Sequence, residues 1–299
     1  MRALFAVLFA LGGGAAAAAD AKLADARYPE GALWHRGRLY YGEMARDIVV
    51  TSDLKTTQTF WHEAGCGPVS IAPYRADEFL VLCHLAHHVV RVSASGETVA
   101  VIERDSAGRA FVYPNASAAD GDGGVYFSSS GTFSLTAPST GAVLYLAADG
   151  KLTRVAEGIR YANGVGVDAA RKRLIVSSHL GRQLLSYALL GAGKLGARRV
   201  FFDFAANGIA HKYALAGPDG LEIDGAGDIV VAEYGEGRLH KISAGGVWLG
   251  SFGGFAPFVT DMALLPGGAA AVTATFANDT PELAGEVVLR DRFLERFVK

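Results

Sequence analysis

Three segments of the chain repeat one spacing, in which an oxygen-bearing side chain stands five residues ahead of an aspartate. They run from Asn115 to Asp120, from Asn163 to Asp168 and from Asp219 to Asp224, and each is followed by a turn and an apolar run. Carboxylate and amide oxygens are the ligands that hard divalent cations prefer. A weaker form of the spacing begins at Glu30 and at Asp261. If successive repeats meet on an axis, these positions converge on one ion.

An asparagine or aspartate before a glycine also makes an ordinary turn, and that explanation suffices for any one of these positions. The same spacing recurs in several segments, however, and this recurrence favours the interpretation of these residues as metal ligands. Counting by twos from Asp219 reaches Leu221 and Ile223, so the polar residue shares a strand face with apolar ones. Buried carboxylates are costly without compensation, and a divalent cation supplies it.

The elements that must position these residues are short strands. Six β-prone runs follow polar or glycine turns between Gly37 and Gly268, with a mean spacing of about 46 residues. Helical periodicity is almost absent after the N-terminal segment, which excludes alternating α/β folds. A β-sandwich stays open, but six units of similar length predict an all-β, six-bladed β-propeller. The runs begin at Gly37, Asp77, Gly123, Lys172, Gly227 and Gly268.

In a propeller the first strand of each blade lines the central channel. The spacing therefore places Glu30, Asn115, Asn163, Asp219 and Asp261 at the channel entrance in five of the six blades. The second blade offers Gly67 or Pro68 and so contributes no ligand side chain. We expect a substrate to approach the ion through this gap.

The first 21 residues have the pattern of a cleaved secretory signal peptide: a positive start, an apolar run and small residues before a cleavage site. A membrane anchor is the alternative, but the run is short and rich in glycine and alanine. We expect a periplasmic or secreted protein whose residues 22–299 form one domain, with no membrane association after cleavage. The net charge of -2 gives no reason to expect nucleic acid as a partner.

The two cysteines, Cys66 and Cys83, flank two apolar runs joined by Arg75-Ala76-Asp77. A hairpin turning there brings them near each other, and an exported protein meets an oxidising compartment. A disulfide and two buried free thiols both remain open. Neither cysteine has a motif that would make it catalytic.

The histidines suggest a second kind of metal site, because His84, His87 and His88 fall within five residues and imidazoles bind zinc. In a strand His87 and His88 face opposite ways, so we favour a position at the surface or channel rim. His179 follows the strand that ends at Ser178 and is a candidate substrate contact at the pocket rim.

Four segments in order resemble the successive motifs of the gluconolactonase and regucalcin (senescence marker protein) family. They are Tyr28 to Trp34, Tyr113 to Asn115, Tyr161 to Val165 and Gly217 to Asp224. The resemblance implies a six-bladed propeller with an axial divalent metal and lactone hydrolysis. It further implies that Glu30, Asn163 and Asp219 are metal ligands, that Asn115 contacts the substrate or a water on the ion, and that Asp219 is the general base. Asp261 is added from the spacing alone.

The chain departs from that family beside Asn115. Sugar-lactone hydrolases tend to carry Arg two residues before this Asn and Asp directly after it, whereas this chain has Tyr113 and Ala116. Groups that bind a polyol are replaced, and Tyr113 becomes a candidate substrate contact. We therefore expect a less polar lactone or ester.

These observations predict an exported, metal-dependent hydrolase that opens a lactone or related ester. Calcium is the expected ion, with magnesium, manganese or zinc as alternatives, and the partner is a small-molecule substrate. A non-catalytic propeller that binds a ligand or partner and keeps a structural cation is the alternative from another class. A metal-dependent arylesterase related to the paraoxonases would differ chiefly in its substrate.

Overall fold

The structure is a computed structural model that describes residues 20–299. Within that range the chain forms twenty-five β-strands and three short 3-10 turns, at Met44–Arg46, Pro266–Gly268 and Phe293–Glu295. The all-β prediction is therefore confirmed. The predicted signal peptide falls almost wholly on residues 1–19, outside the described residues. No helix in the described part is long and apolar enough to cross a bilayer.

Four of the five sheets are built from strands that follow one another along the chain. The first sheet contains β2 (Pro29–His35), β3 (Arg38–Glu43), β4 (Ile48–Ser52) and β5 (Thr57–His62). The second contains β6 (Pro68–Tyr74), β7 (Glu78–Cys83), β8 (His88–Ser93) and β9 (Thr98–Ile102). The third contains β10 (Pro114–Ala119), β11 (Val125–Ser129), β12 (Gly141–Leu146) and β13 (Leu152–Ile159). The fourth contains β14 (Ala162–Asp168), β15 (Arg173–Ser178) and β16 (Gln183–Gly191), with β17 (Lys194–Leu195) and β18 (Arg199–Asp203) both paired to β16.

The fifth sheet has eight strands and divides into two halves. One half contains β19 (Gly217–Ile223), β20 (Ile229–Tyr234), β21 (Arg238–Ile242) and β22 (Trp248–Gly253). The other contains β23 (Phe258–Leu264), β24 (Ala270–Thr275), β25 (Ala284–Arg290) and β1 (Ala21–Arg27). A single residue pair, Tyr234 with Phe258, joins the halves.

The first and last strands of the described chain close the structure. β1 pairs antiparallel with β25 along its whole length, from Ala21 opposite Leu289 to Arg27 opposite Ala284. This pairing gives β25 a partner on its outer side, so its edge is not left open. The N-terminal strand therefore completes a sheet whose other strands come from the C-terminal end.

The strands that open each unit form a ring. β2 contacts β6, β6 contacts β10, β10 contacts β14, β14 contacts β19, β19 contacts β23, and β23 contacts β2 again. We call these six the innermost strands. The six β-prone runs predicted from the sequence all fall in the strand next to an innermost one, namely β3, β7, β11, β15, β20 and β24. The arrangement is that of an all-β propeller.

The core lies between neighbouring sheets rather than inside any one of them. Between the second and third sheets, Leu80, Leu82, Phe127 and Leu144 are fully buried against one another. Alternation along each strand directs one set of side chains to each neighbouring sheet. Burying such side chains is worth roughly 1.5–3 kcal/mol each, and this packing holds the innermost strands in place.

A disulfide joins Cys66 and Cys83, with the two Cα atoms 4.5 Å apart. The hairpin predicted between them is present as β6 and β7. Leu85 N and Ala86 N donate to the Cys66 carbonyl at 3.1 and 3.4 Å, so the bond lies beside the loop that follows β7. Of the two states that the sequence left open, the structure has the disulfide, and no free cysteine is found in residues 20–299.

We expect the double variant Cys66→Ala/Cys83→Ala to lose about 3 kcal/mol of unfolding free energy, because the bond closes a short loop and restricts the unfolded chain. Urea denaturation of the oxidised proteins measures this. A thiol reductant should lower the wild-type midpoint and leave the midpoint of the variant unchanged. Equal stability of the two oxidised proteins would contradict the expectation.

Candidate metal centre and cavity

Every innermost strand carries a β-bulge near its start. The register with the next strand shifts by one residue in all six, for example between Glu30 and Leu33, between Ala162 and Val165, and between Pro218 and Leu221. A bulge adds one residue to the strand and turns the neighbouring side chains. The six strands can therefore be aligned on their bulges, independently of sequence spacing.

Aligned in this way, the innermost strands place one residue each at a common ring position. In five strands this residue directly follows the last residue paired before the bulge, and in β2 it is that last paired residue, Glu30, itself. We call these residues the ring. Five of them line one cavity of about 290 Å³. The ring residues in chain order are Glu30, Val69, Asn115, Asn163, Asp219 and Thr260.

The glycines that follow ring residues are required by the closeness of the strands. A Cβ on Gly31 would lie 2.3 Å from the Val69 carbonyl oxygen, and one on Gly164 would lie 2.3 Å from that of Asp219. Both distances are far below contact distance, so only glycine fits. The Glu-Gly, Asn-Gly and Asp-Gly pairs at Glu30, Asn163 and Asp219 therefore lie within strands and do not form turns.

Four of the predicted site residues meet in the ring cavity with a fifth beside them. Glu30, Asn115, Asn163 and Asp219 are ring residues and buried, and His179 lines the same cavity from the loop after β15. Tyr113 does not line it. Its ring packs instead against His84 and His87, with centroids 4.9 and 4.4 Å away.

Asp261 lies apart from the other predicted ligands. The bulge in β23 puts Thr260 at the ring position, where its hydroxyl donates to the Pro29 carbonyl at 2.6 Å. Asp261 is one residue further and lines a second cavity of about 340 Å³ together with Glu222. Counting the five-residue spacing to Pro266 thus assigns the wrong residue of this strand to the ring. In the second blade, likewise, the ring residue is Val69 and not Gly67 or Pro68.

Glu30 and Asp219 are two buried carboxylates without a basic partner. Burial, and then the charges of Asp219 and Asp261, raise the pKa of Glu30 well above its usual value. Burial also raises the pKa of Asp219, and a hydrogen bond from Asn163 opposes this in part. No lysine or arginine of the described chain lines the cavity. Among the described residues that line the cavity, no cation is therefore available to stabilise the ionised form of these two carboxylates.

Two neutral histidines border the same cavity. His179 Nε2 donates to the Leu215 carbonyl at 2.9 Å, and His84 Nδ1 donates to the Pro114 carbonyl at 3.0 Å. Burial lowers the pKa of each imidazole to about 4. With Nε2 committed as a donor, His179 keeps Nδ1 as an unprotonated acceptor, and that atom is buried without a partner among the described residues.

Aromatic residues form the wall near His179. The hydroxyls of Tyr28 and Tyr234 are 3.0 Å apart, and Asn278 Nδ2 donates to the Tyr234 hydroxyl at 2.9 Å. Phe133 packs between Tyr161 and Tyr234, with ring centroids 4.7 and 6.4 Å away. Sequence reasoning missed Tyr234, Phe133 and Asn278, because no spacing relates them to the ring.

One sequence feature does relate to the aromatic wall of the cavity, namely a tyrosine that recurs at a fixed distance before the ring residues. Tyr28, Tyr113 and Tyr161 each stand two residues before a ring residue, and all three have positive φ angles of 51° to 57°. A bulky side chain adopts this left-handed conformation at an energetic cost. The equivalent residue of the second blade is Gly67, at φ 55°. Tyr28 and Tyr161 line the cavity, so for these two a tyrosine at a position that suits glycine points to a role of the ring in the cavity wall.

The ring cavity fits a hard divalent cation. Glu30, Asn163 and Asp219 offer carboxylate and amide oxygens, which suit calcium, magnesium or manganese. A cation there would compensate the burial that raises both carboxyl pKa values and the repulsion that adds to the rise at Glu30. A second group, Glu63, Cys83 and His88, also has its potential ligand atoms within 4.8 Å of one another. Cys83 is in the disulfide, so it offers no thiolate.

Comparison with known proteins supports the fold and the family. The family model described as "SMP-30/Gluconolactonase/LRE-like region" matches residues 28–274. Among solved structures, a luciferin-regenerating enzyme has a TM-score of 0.72 at 20% identity, covering 89% of this chain and 92% of its own. A gluconolactonase from Xanthomonas campestris has 0.71 at 19%, covering 89% and 86%.

The calcium-binding protein regucalcin from Agrobacterium tumefaciens has a TM-score of 0.70 at 15% identity, covering 92% of this chain and 94% of its own. At these identities the structural likeness establishes the fold and not the activity. No curated protein sequence matches the chain. The family predicted from the four sequence segments is the one whose model matches, so that prediction is confirmed.

We expect Asp219→Asn to stabilise the metal-free protein at neutral pH by about 1–3 kcal/mol, because it removes a buried charge. The folded-state pKa of Asp219 is raised, so its contribution to stability is present below its unfolded pKa and is lost as pH rises. The advantage of the variant should therefore grow from about pH 4 to neutrality.

The same variant should lose the stabilisation that a bound ion provides. In wild type, calcium at about a hundred times its Kd should add about 2.7 kcal/mol. Denaturation with chelator and with calcium chloride measures both effects, and Asp122→Asn, at an exposed position, is the control. An undiminished calcium response in Asp219→Asn would contradict the assignment.

Proposed function

The chain belongs to the SMP-30/gluconolactonase/LRE-like family, and from that premise we propose that it is a metal-dependent hydrolase that opens a lactone or related ester. The observation that carries the proposal is the pair of buried, uncompensated carboxylates, Glu30 and Asp219, in an open cavity beside two amides. Such a site is expensive to maintain unless it binds a cation and a substrate.

We propose that the propeller has six blades. Support comes from the six innermost strands that contact one another in a closed circuit, and from the single residue pair that joins the halves of the eight-stranded sheet. With that pair set aside, each half has four strands, as the first three sheets do.

The proposed ligands are Glu30, Asn163 and Asp219, with calcium as the expected ion and magnesium, manganese or zinc as alternatives. Hard oxygen donors favour calcium, and one structural neighbour is itself described as a calcium-binding regucalcin. Asp261 is not included, because its side chain lines the second cavity. Asn115 is left to contact the substrate or the attacking water.

A divalent cation, when bound, polarises a lactone or ester carbonyl and stabilises the charge that develops on its oxygen. The remaining tasks fall to the protein's own groups. Asp219 is the candidate general base, which takes a proton from the attacking water at a carboxylate oxygen. His179 stays neutral and offers Nδ1 as an acceptor for a substrate hydroxyl or water. The Tyr28 and Tyr234 hydroxyls lie on the same wall as His179, and their mutual hydrogen bond leaves one O–H free as a donor.

We further propose that the protein is exported. The N-terminal pattern of residues 1–21 supports this, and so does the Cys66–Cys83 disulfide, since such bonds persist in oxidising compartments. Western blotting of cell fractions for the full-length chain tests it, with N-terminal sequencing of the product. Recovery of an uncleaved chain in the cytoplasm alone would contradict it.

For activity, we expect a panel of lactones and esters to be hydrolysed with calcium and not with chelator, and Asp219→Asn to lower kcat about 10²–10⁴-fold. Asp261→Asn is the matched comparison, because Asp261 is a half-buried aspartate that lines the second cavity outside the ring, and this variant should keep the metal response. Activity that persists in chelator and in Asp219→Asn would overturn the mechanism. Bound metal with no turnover of any substrate would favour a ligand-binding propeller.

A further inference from the structure

We infer that the substrate carries an apolar alkyl or aryl group, which lies against one side of the ring cavity. This inference rests on the proposed function and names the substrate class of that site. Four apolar side chains carry it, and we call them the apolar sector: Met44, Val69, Leu85 and Leu283, all of which line the cavity.

The apolar sector lies where the ring has no oxygen ligand. Val69 occupies the ring position of β6, between Glu30 of β2 and Asn115 of β10. Met44 follows β3 and Leu85 follows β7, so both belong to the sheets on this side of the ring. Asn163 and Asp219 come from β14 and β19, across the ring. A carbonyl held near those oxygens therefore has its substituents directed toward the apolar sector.

Leu85 gives the sector an opening to solvent. It is 52% exposed and also lines the cavity, so an apolar substituent can extend past it out of the mouth. Its backbone is held beside the disulfide, because its N–H donates to the Cys66 carbonyl at 3.1 Å. A Cβ on Gly67 would lie 2.5 Å from Leu85 Cγ, so the side chain rests directly on the backbone beside the disulfide.

This wall discriminates against a polyol. Hydroxyl groups placed on Val69 and Leu85 would lose water without gaining a hydrogen bond, which is unfavourable. No lysine or arginine among the cavity-lining residues compensates for that loss. An alkyl or aryl substituent in the same place loses only its own contact with water, which favours binding. The class is therefore lactones or esters with an apolar substituent.

The first test is a series of γ-lactones with alkyl side chains of increasing length, assayed with calcium beside D-glucono-1,5-lactone. We expect kcat/KM to rise about fourfold per methylene over the first few members, and the sugar lactone to be the poorest substrate. Leu85→Asn should lower kcat/KM for the longest member about tenfold and reduce the rise in kcat/KM per methylene. Leu190→Asn, at a 69% exposed leucine of β16 outside the cavity lining, is the matched control and should leave the series unchanged.

The second test measures binding without turnover, by titrating the protein with 2-alkylcyclopentanones, which resemble the lactones but cannot be hydrolysed. Affinity should rise with chain length in wild type and in Leu190→Asn, and less so in Leu85→Asn. Faster hydrolysis of the sugar lactone than of every alkyl lactone would overturn the inference and leave the hydrolase proposal standing. A length-dependent affinity without any turnover would support the apolar sector and refute hydrolysis. Affinity independent of chain length would overturn the inference.

Discussion

The close approach of the innermost strands is the constraint on which the rest of the structure depends. At Gly31 and Gly164 the neighbouring backbone is so near that no side chain larger than hydrogen fits. Strands this close bring the residue before each glycine to the same opening. Glu30 and Asp219 therefore line one cavity, and the charge of Asp219 adds to the rise in the pKa of Glu30.

Burying two carboxylates lowers the folding stability, and contacts elsewhere in the fold offset this cost. Apolar layers between neighbouring sheets bury large side chains such as Phe127 and Leu144, and β1 covers the outer edge of the last sheet by pairing with β25. The disulfide fixes the loop between Cys83 and Leu85 at the rim. Two like charges buried together would loosen an isolated hairpin, but a closed ring resists separation because every innermost strand is held on both sides.

The bulge is the device that selects which side chain faces the cavity. Successive residues of a strand point to opposite faces, so a difference of one residue moves a side chain from one cavity to the other. In β23 that difference separates Thr260, which is hydrogen-bonded in the ring, from Asp261, which belongs with Glu222 in the second cavity. The same shift makes Val69 the ring residue of β6, and this valine gives the cavity its apolar side.

The sequence by itself determined the strand content, the repeated units and the family, because turns, β-prone runs and motif order are local properties of the chain. It also identified Glu30, Asn115, Asn163 and Asp219, whose strands share one spacing between the ring residue and the following turn. Tertiary structure decided the rest. The misassignment of Asp261 arose because no aspartate marks the start of the turn after β23. That turn begins at Leu265, whose N–H donates to the Ala269 carbonyl at 2.8 Å, and five residues before it is Thr260. Phe133, Tyr234 and Asn278 join the site through contacts between distant parts of the chain, and no local pattern encodes such contacts.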